Sequence, residues 1–283
     1  TGSNAKMLSG DLASYLSGRY VEIKVFGLSF PEFLAFHRLQ NTPEALVQYL
    51  KFGGLPYLMN LRLEENIVFD YLRNVYNTIL LKDIVARHQI RNVSFLENLV
   101  KYLADNVGSI LSAKRITDFL KSQRITLSPN VVLNYLSYLV SAFFVFKVPR
   151  AEVYGRKIFE IGDKYCFEDL GLRHTVVGYQ QRDINKVLEN LVFSHLAISG
   201  YHVTVGKMGD KEIDFIATRE NEKLYVQVAY LIPHEKAWER EFNNLLAIKD
   251  NYPKIVVSMD EAIGKQFQGI GHMHIRNFLS EYR

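Results

Sequence analysis

Residues 183–232 read DINKVLENLVFSHLAISG, YHVTVGKM, GD, KEIDFIATR, ENE and KLYVQVAYLI in succession. The first block has apolar residues at helical spacing and ends at Gly200, which predicts a helix. Three short runs rich in β-branched and aromatic residues follow it, separated by turn-forming residues, which is typical of strands. A further helix is predicted at residues 235–250 and a buried strand at 254–260. This order predicts an α/β fold for the last part of the chain.

The residues ahead of this block are predicted to be largely helical. Ser29 with Glu32 forms a capping-box pattern at the start of one helix. In TPEALVQYLKFGG, residues 42–54, Thr42 is the predicted N-cap and the two glycines end the helix. An alternating run, RYVEIKVFGL at residues 19–28, predicts a short strand before both helices.

The middle of the chain has the order of a winged helix. Residues 113–123 and 130–142 are predicted helices, each opened by a serine, and residues 143–150 and 157–162 are strand-like runs. Helix, helix and a two-stranded ribbon is the winged-helix order, in which the second helix reads a groove of the nucleic acid.

Composition limits the class of protein. The chain has 283 residues, enough for two or three domains, and 48% of them are hydrophobic. No apolar run approaches the roughly 18 residues of a membrane span, and no secretory signal pattern opens the chain. The single cysteine excludes an internal disulfide framework. These features predict a cytoplasmic protein with no membrane partner.

Positive charge is concentrated in the middle of the chain. Residues 71–150 hold 11 Lys/Arg and 4 Asp/Glu, a balance of +7, whereas residues 151–283 have a balance of −2. This asymmetry favours an acidic partner such as nucleic acid for the middle part. A Lys/Arg-rich solvated helical surface explains it equally well.

Several catalytic signatures are missing from the sequence. It has no G-x-x-x-x-G-K-[ST] loop, no G-x-G-x-x-G after a strand and no G-x-S-x-G elbow. The histidines have no metal-ligand spacing, so no metal site is predicted. Taken alone, the chain is expected neither to bind ATP well nor to hydrolyse it.

The opening residues carry a resemblance to a known family. Thr1–Gly2–Ser3–Asn4 is followed by Gly18–Arg19, then by the Leu28–Ser29–Phe30 helix start and by YLKFGGLP at residues 49–56. In this order they resemble the second half of the nucleotide-binding module and the lid of prokaryotic AAA-type P-loop ATPases. The resemblance implies that Asn4 contacts a water or phosphate oxygen and that Arg19 supplies charge to a developing phosphate anion. If the resemblance is set aside, Asn4 is expected to cap the following helix and Arg19 to pair with a surface carboxylate.

The rest of the chain resembles the same family. The resemblance implies an α/β, multi-domain fold, with the end of the ATPase module and its lid at residues 1–68. A winged-helix-like domain would follow at 69–163 and a degenerate restriction-endonuclease-like domain at 164–283. It also implies ATP and Mg²⁺ as cofactors of an intact protein, with the phosphate loop outside these 283 residues and no cofactor bound to this chain.

The nuclease-like part would need a helix Glu, a strand Asp and a (D/E)-x-K pattern on the next strand. Glu189 and Asp214 fit the first two positions. Gln227 stands where the third acid would be and Ala229 where the lysine would be, so two of the four positions are lost. Three lysines near in sequence, any of which could substitute for the missing one, are Lys211, Lys223 and Lys236.

Six residues are the candidates for contacts with nucleic acid. Phosphate contacts are predicted for Lys114, Arg115, Lys121 and Arg124. Groove contacts are predicted for Asn130 and Asn134 on the second helix of the winged-helix pattern. No arginine lies on that second helix, so base-specific recognition has little support.

Three hypotheses about function remain. The first is the C-terminal part of an AAA-type ATPase that couples nucleotide state to double-stranded DNA or a protein partner. The second is a non-catalytic DNA-binding winged-helix module. The third is a Mg²⁺-dependent nuclease. An oligomer is compatible with each of them.

Overall fold

The computed structural model describes residues 23–125, 127–154, 158–232, 242–261 and 266–282, without the side chains of residues 158–161. The described residues form nine helices and one eight-stranded sheet. The helices are α1 (Phe30–His37), α2 (Pro43–Phe52), α3 (Glu65–Thr78), α4 (Val93–Asp105), α5 (Ala113–Ser122), α6 (Pro129–Ser141), α7 (Leu170–Val177), α8 (Ile184–Ile198) and α9 (Ile275–Glu281). Short 3₁₀ turns occupy Pro56–Asn60 and Gln181–Asp183, and α3 continues as a π-helical segment at Ile79–Ala86.

All described strands belong to one mixed sheet. They are β1 (Val145–Glu152), β2 (Ile158–Phe167), β3 (His202–Met208), β4 (Lys211–Arg219), β5 (Glu222–Val228), β6 (Lys254–Ser258), β7 (Gln266–Phe267) and β8 (Ile270–His274). Their order across the sheet is β2-β1-β3-β4-β5-β6-β8-β7. The α/β class predicted from the sequence is therefore confirmed.

The β1–β2 hairpin extends the sheet built from the later strands. β1 pairs with β2 in antiparallel fashion and with β3 in parallel fashion, through Arg150 opposite Val205. Because β2 continues to Phe167, the domain boundary predicted between residues 163 and 164 falls inside this strand. The helices before the hairpin and the strands after it are thus joined through a continuous sheet.

Three clusters of buried side chains form the core. One cluster combines Phe33 of α1 and Leu46 of α2 with Leu188 of α8, Phe215 of β4 and Phe278 of α9. A second fills the helical bundle, and a third covers the other part of the sheet. Since α1 and α2 share the first cluster with the sheet, the segment that contains these two helices is packed directly against the α/β part.

Local sequence signals fixed the helix starts. Ser29 and Glu32 form the capping box at α1, and the Thr42 hydroxyl accepts a hydrogen bond of 3.2 Å from the Ala45 amide at α2. The alternating run at residues 19–28 behaves differently, because residues 23–26 are not in a strand and Val25 is 90% exposed. A strand needs a neighbour for its backbone hydrogen bonds, and residues 23–26 pair with none of the described strands.

Within the described residues, no helix combines the length and the apolar character needed to cross a bilayer.

Candidate functional site

A buried lysine lies at the centre of three carboxylates. The ammonium nitrogen of Lys164, on β2, is 2.9 Å from Oε2 of Glu189 on α8. It is also 3.2 Å from Oδ1 of Asp214 and 3.2 Å from Oε1 of Glu212, both on β4. The Lys164 side chain is 2% exposed. We call these four residues the Lys164 cluster.

Backbone and amide groups hold Asp214 in place within this cluster. Its Oδ2 accepts a hydrogen bond of 2.9 Å from the Val228 amide on β5. Its own amide lies 3.4 Å from Oε1 of Gln227, to which it donates. The structure therefore brings Glu189, Asp214 and Gln227 to one place.

The turn after α4 closes over the cluster. A Cβ atom added to Gly108, whose φ is +78°, would lie 3.1 Å from Oε2 of Glu189. Lys186 of α8 also donates to the carbonyl of Asp105 at 2.8 Å. The carboxylate of Glu189 is thus covered by the helical part of the chain, which excludes much of the solvent from it.

Burial and neighbouring charges have opposite effects on the pKa values of Glu189 and Lys164. Burial raises the pKa of Glu189 to about 8, repulsion from Asp214 adds to this, and the nearby Lys164 ammonium lowers it. Burial alone would lower the pKa of Lys164, but the carboxylates of Asp214, Glu189 and Glu212 outweigh it and raise that pKa. The lysine is therefore held in its charged form.

The donor set does not fit the Mg²⁺ ion that the nuclease resemblance implies. The Lys164 ammonium is within 3.2 Å of both the Glu189 and the Asp214 carboxylates, where the cation would be held. Gln227 is a neutral ligand whose oxygen already faces the Asp214 amide. Among the described residues, no group of three or more His, Cys, Asp or Glu side chains is arranged to hold a metal ion. The Lys164 ammonium instead lies between the Glu189 and Asp214 carboxylates and is the cation of this cluster.

Lys164 is the residue that the sequence pattern missed. The candidate substitutes lie elsewhere: Lys211 donates to the Asn243 carbonyl at 3.4 Å, and Lys223 is 3.7 Å from Asp250. Lys236 lies outside the described residues. The one available signal was a lysine directly before the apolar run YCF, two residues after the predicted strand at 157–162, because a lysine that is buried needs a partner for its charge.

A second group of carboxylates follows immediately after β2. Oε1 of Glu168 accepts a hydrogen bond of 2.7 Å from the Gly27 amide, and Oδ2 of Asp169 accepts one of 2.7 Å from the Gly54 amide. Oδ1 of Asp169 also accepts from Leu172, which caps α7. We call Glu168 and Asp169, with the two glycine amides, the lid joint. These contacts fasten Gly27 and Gly54, which lie in the segment whose sequence resembles an ATPase module and its lid, to the end of β2.

The lid joint is held without a cation among the described residues. Burial raises the pKa of Glu168 to about 7, and the adjacent Asp169 carboxylate raises it further. Burial also raises the pKa of Asp169 to about 6, against the hydrogen bonds from Gly54 and Leu172. At Gly53, with φ of +79°, an added Cβ would lie 2.3 Å from the Asp169 carboxylate oxygens, so only glycine fits.

All six candidate nucleic-acid contacts are exposed. Lys114 and Arg115 lie in the first turn of α5, Lys121 lies in its last turn, and Arg124 follows the helix. The two asparagines, Asn130 and Asn134, lie on the outward side of α6. The structure thus leaves these side chains accessible to a partner.

Asn4 and Arg19, the predicted nucleotide contacts, lie outside the described residues.

Comparison with known proteins gives relatives but no activity. Residues 43–183 match the domain of unknown function DUF8612. An uncharacterised protein of Haemophilus influenzae is 37% identical over 283 residues, which covers 99% of this chain and 70% of that protein. This chain belongs to the same protein family as the Haemophilus protein.

Two further matches are more distant. Uncharacterised protein MJ1544 of Methanocaldococcus jannaschii is 29% identical, covering 94% of this chain and 63% of that protein. The chain thus spans less than two thirds of the MJ1544 protein. The crystal structure of protein VC1899 from Vibrio cholerae aligns with 14% identity over 81% of this chain and 59% of that one. Its TM-score of 0.23 is too low for the likeness to support an argument about fold.

Proposed function

We propose that this chain is the C-terminal part of an ATP-binding AAA-type ATPase and that it couples nucleotide state to a nucleic-acid or protein partner. The lid joint is the observation that carries this proposal. The segment that resembles the ATPase lid is tied by its Gly27 and Gly54 amides to two side chains at the end of β2. A rearrangement of the lid would therefore act directly on the sheet.

The path from the lid to the rest of the chain is short. Glu168 and Asp169 follow β2 without a linker, and Lys164 lies four residues earlier on the same strand. Through Lys164 the strand contacts α8 and β4, and through its pairing with β1 it contacts the helical middle part. Rigid, hydrogen-bonded strands transmit small displacements well, which suits them to coupling.

ATP binding and hydrolysis by the Haemophilus relative test the ATPase part of the proposal. We expect Mg²⁺-dependent ATP hydrolysis by that longer protein, and neither tight ATP binding nor hydrolysis by residues 1–283 of this chain alone. Isothermal titration and phosphate release measure the two properties. A relative that does not bind ATP would contradict the proposal.

Amide hydrogen exchange tests the coupling part. In the complete protein that contains this chain, ATP is expected to change the exchange rates of the Gly27 and Gly54 amides and of β2. The edge residues Gln266–Phe267 of β7 serve as an internal control, since the lid joint does not reach them. Unchanged exchange at both glycines, with ATP bound, would refute coupling through the joint.

A non-catalytic nucleic-acid-binding role is favoured by a separate observation, the exposure of all six candidate contacts on α5 and α6. It predicts duplex binding that weakens steeply as salt is added. Replacing Lys114, Arg115 and Lys121 by glutamine should reduce the salt slope by about one for each lost phosphate contact. Electrophoretic mobility shifts at several salt concentrations measure this, and an unchanged slope would argue against the role.

A further inference from the structure

Helix α6 presents a polar but uncharged ridge to the outside of the helical part. Asn130, Asn134 and Ser137 are exposed and follow one another at helical spacing, so they lie along one face of the helix. The opposite face is buried through Leu136 and Leu139. The helix contains no Asp, Glu, Lys or Arg. We call the three exposed residues the α6 ridge, which offers amide and hydroxyl groups without a charge of its own.

One side of the α6 ridge lies against a positively charged segment. The ring of Tyr138 is stacked on that of His88, with centroids 3.9 Å apart and planes 11° apart. His88 follows the π-helical segment at Ile79–Ala86, and Arg87 and Arg91 on either side of it are exposed. Residues 79–92 hold three Lys/Arg and one Asp. Short π-helical segments are frequent at functional sites.

The other side of the α6 ridge lies against the start of α5. Leu133 and Lys114 line the same pocket between the two helices. Leu133 and Tyr138 are five residues apart, which is about 140° around a helix axis, so they lie on opposite sides of the ridge. Lys114 and Arg115 are exposed, and residues 113–124 hold four Lys/Arg and one Asp. Positive charge therefore borders the neutral ridge on both sides.

We propose that the α6 ridge enters the major groove of B-form duplex DNA. Arg87 and Arg91 contact the phosphates of one strand, and Lys114 and Arg115 contact those of the other. A helix with its side chains is about 10–12 Å in diameter, and the major groove is about 12 Å wide. Charge on both sides and none on the ridge complements a groove of neutral base edges between two phosphate chains.

This inference rests on the nucleic-acid branch of the proposed function, names its partner and adds Arg87 and Arg91 to its contacts. It also separates related nucleic acids. The major groove of an RNA duplex is deep and narrow and does not admit a helix. A single strand has no groove and supplies no second phosphate chain for the opposite side of the ridge.

Fluorescence anisotropy with labelled DNA and RNA duplexes of one sequence, about 20 base pairs and hence two helical turns long, tests this preference. At the same salt concentration we expect the DNA duplex to bind at least about tenfold more tightly than the RNA duplex, because only the DNA groove admits α6. Equal affinities would overturn the inference. An absence of binding to either duplex at low salt would remove the nucleic-acid branch together with it.

Arg87→Gln and Arg91→Gln test the newly assigned side of the surface. Each should reduce the slope of log affinity against log salt by about one, because each removes one phosphate contact. Arg73→Gln is the matched control: it removes the same charge from an exposed position about 20 Å earlier along the same helix. Unchanged slopes for Arg87→Gln and Arg91→Gln, or an equal reduction for Arg73→Gln, would contradict the inference.

Asn134→Glu tests the α6 ridge itself. A carboxylate there would face the phosphates and the base acceptors, so DNA binding should weaken at least about tenfold. The position is exposed, and thermal stability should stay close to that of the parent chain. Asn74→Glu, at an exposed position of α3, adds the same charge and should bind DNA like the parent chain.

If Asn134→Glu binds duplex DNA as tightly as the parent chain, the DNA lies elsewhere on the protein. That result would refute this surface and leave the nucleic-acid branch standing. The ATP measurements on the Haemophilus relative do not involve α6, so they can fail or succeed independently of these experiments.

Discussion

Two groups of carboxylates lie near the end of β2, one around Lys164 on this strand and one directly after it, and their partners differ. In the Lys164 cluster, three carboxylates surround one ammonium within 3.2 Å. In the lid joint, backbone amides are the hydrogen-bond donors to Glu168 and Asp169 among the described residues. Burial raises the pKa of Glu168 to about 7 and that of Asp169 to about 6. The first group is fixed by charge. The second is held by directional hydrogen bonds from backbone amides. Both groups contain a carboxyl group whose pKa is raised, Glu189 to about 8 in the first and Glu168 to about 7 in the second.

The difference suits the two groups to different tasks. An ion cluster that loses its central cation leaves several buried charges unpaired, so it behaves as a fixed anchor. Amide hydrogen bonds to a carboxyl group near its pKa change in strength as the group ionises, so the stability that they give depends on pH. We therefore expect mutations in the cluster to affect stability most and mutations in the joint to affect it in a pH-dependent way.

The largest effect is expected for Lys164→Met. Removing the ammonium leaves Glu189, Asp214 and Glu212 without their cation, and breaking a buried ion pair costs about 3–5 kcal/mol. Urea unfolding at pH 7.5 measures the free energy of unfolding. Arg73→Met, which removes an ion pair with Asp70 in which both side chains are exposed, is the control and should cost less than about 1 kcal/mol. Similar losses in both variants would mean that the cluster is no anchor.

A smaller effect is expected for Gly53→Ala at the lid joint. Gly53 and Gly178 have similar backbone geometry, with φ of +79° and +75°. Substitution at either position carries backbone strain of about 1–3 kcal/mol. A Cβ at Gly53 would meet Asp169, whereas at Gly178 nothing lies within 4 Å. Gly53→Ala should therefore cost about 2 kcal/mol more than Gly178→Ala, because Asp169 must give up its contacts.

If thermal and urea unfolding give equal losses for these two alanine variants, the close fit of Asp169 against the glycine turn contributes nothing to stability. The joint would then be weaker than its hydrogen-bond geometry suggests.

A still smaller effect is expected for the pH dependence of the joint. The folded chain keeps Glu168 protonated up to about pH 7, whereas the unfolded chain ionises it near its ordinary value. The folded state therefore binds more protons in this window, and stability falls as the pH rises from about 4.5 to 7. Glu168→Gln removes this fall, so its stability relative to the parent chain should be about 1–2 kcal/mol more favourable at pH 7.5 than at pH 5.

Urea unfolding at the two pH values measures this shift. Glu222→Gln is the control, because the hydrogen bond from Arg219 lowers the pKa of the Glu222 carboxylate rather than raising it. The stability of Glu222→Gln relative to the parent chain should be no more favourable at pH 7.5 than at pH 5. A pH profile of Glu168→Gln that runs parallel to that of the parent chain would remove the proposed sensitivity of the joint.

The smallest effect is expected for nuclease activity. Because Lys164 stands between Glu189 and Asp214 and Gln227 is neutral, we expect no cleavage of duplex or single-stranded DNA with Mg²⁺ or Mn²⁺. Asp214→Ala should be indistinguishable from the parent chain in a gel-based cleavage assay. Metal-dependent cleavage that disappears in this variant would show that the Lys164 cluster is catalytic. The cluster would then not be only a structural anchor.

Part of the candidate site was predictable from the sequence. Glu189, Asp214 and Gln227 were singled out because they occupy the positions of a helix-and-two-strand motif, and the structure has Asp214 and Gln227 on neighbouring strands. Lys164 was not predicted, because it is 25 residues from Glu189 and 50 from Asp214 along the chain. The lid joint was also missed, since Gly54 and Asp169 are 115 residues apart.

The sequence alone determined the α/β class and the starts of helices such as α2. N-caps, prolines and alternating apolar residues act within a few positions of one another, and their effects are therefore local. Only the tertiary structure decided that one lysine contacts three carboxylates and that two glycine amides donate hydrogen bonds to two neighbouring carboxyl groups. These contacts depend on which strand lies beside which, and strand order is set by the packing of the whole sheet rather than by any neighbouring residue.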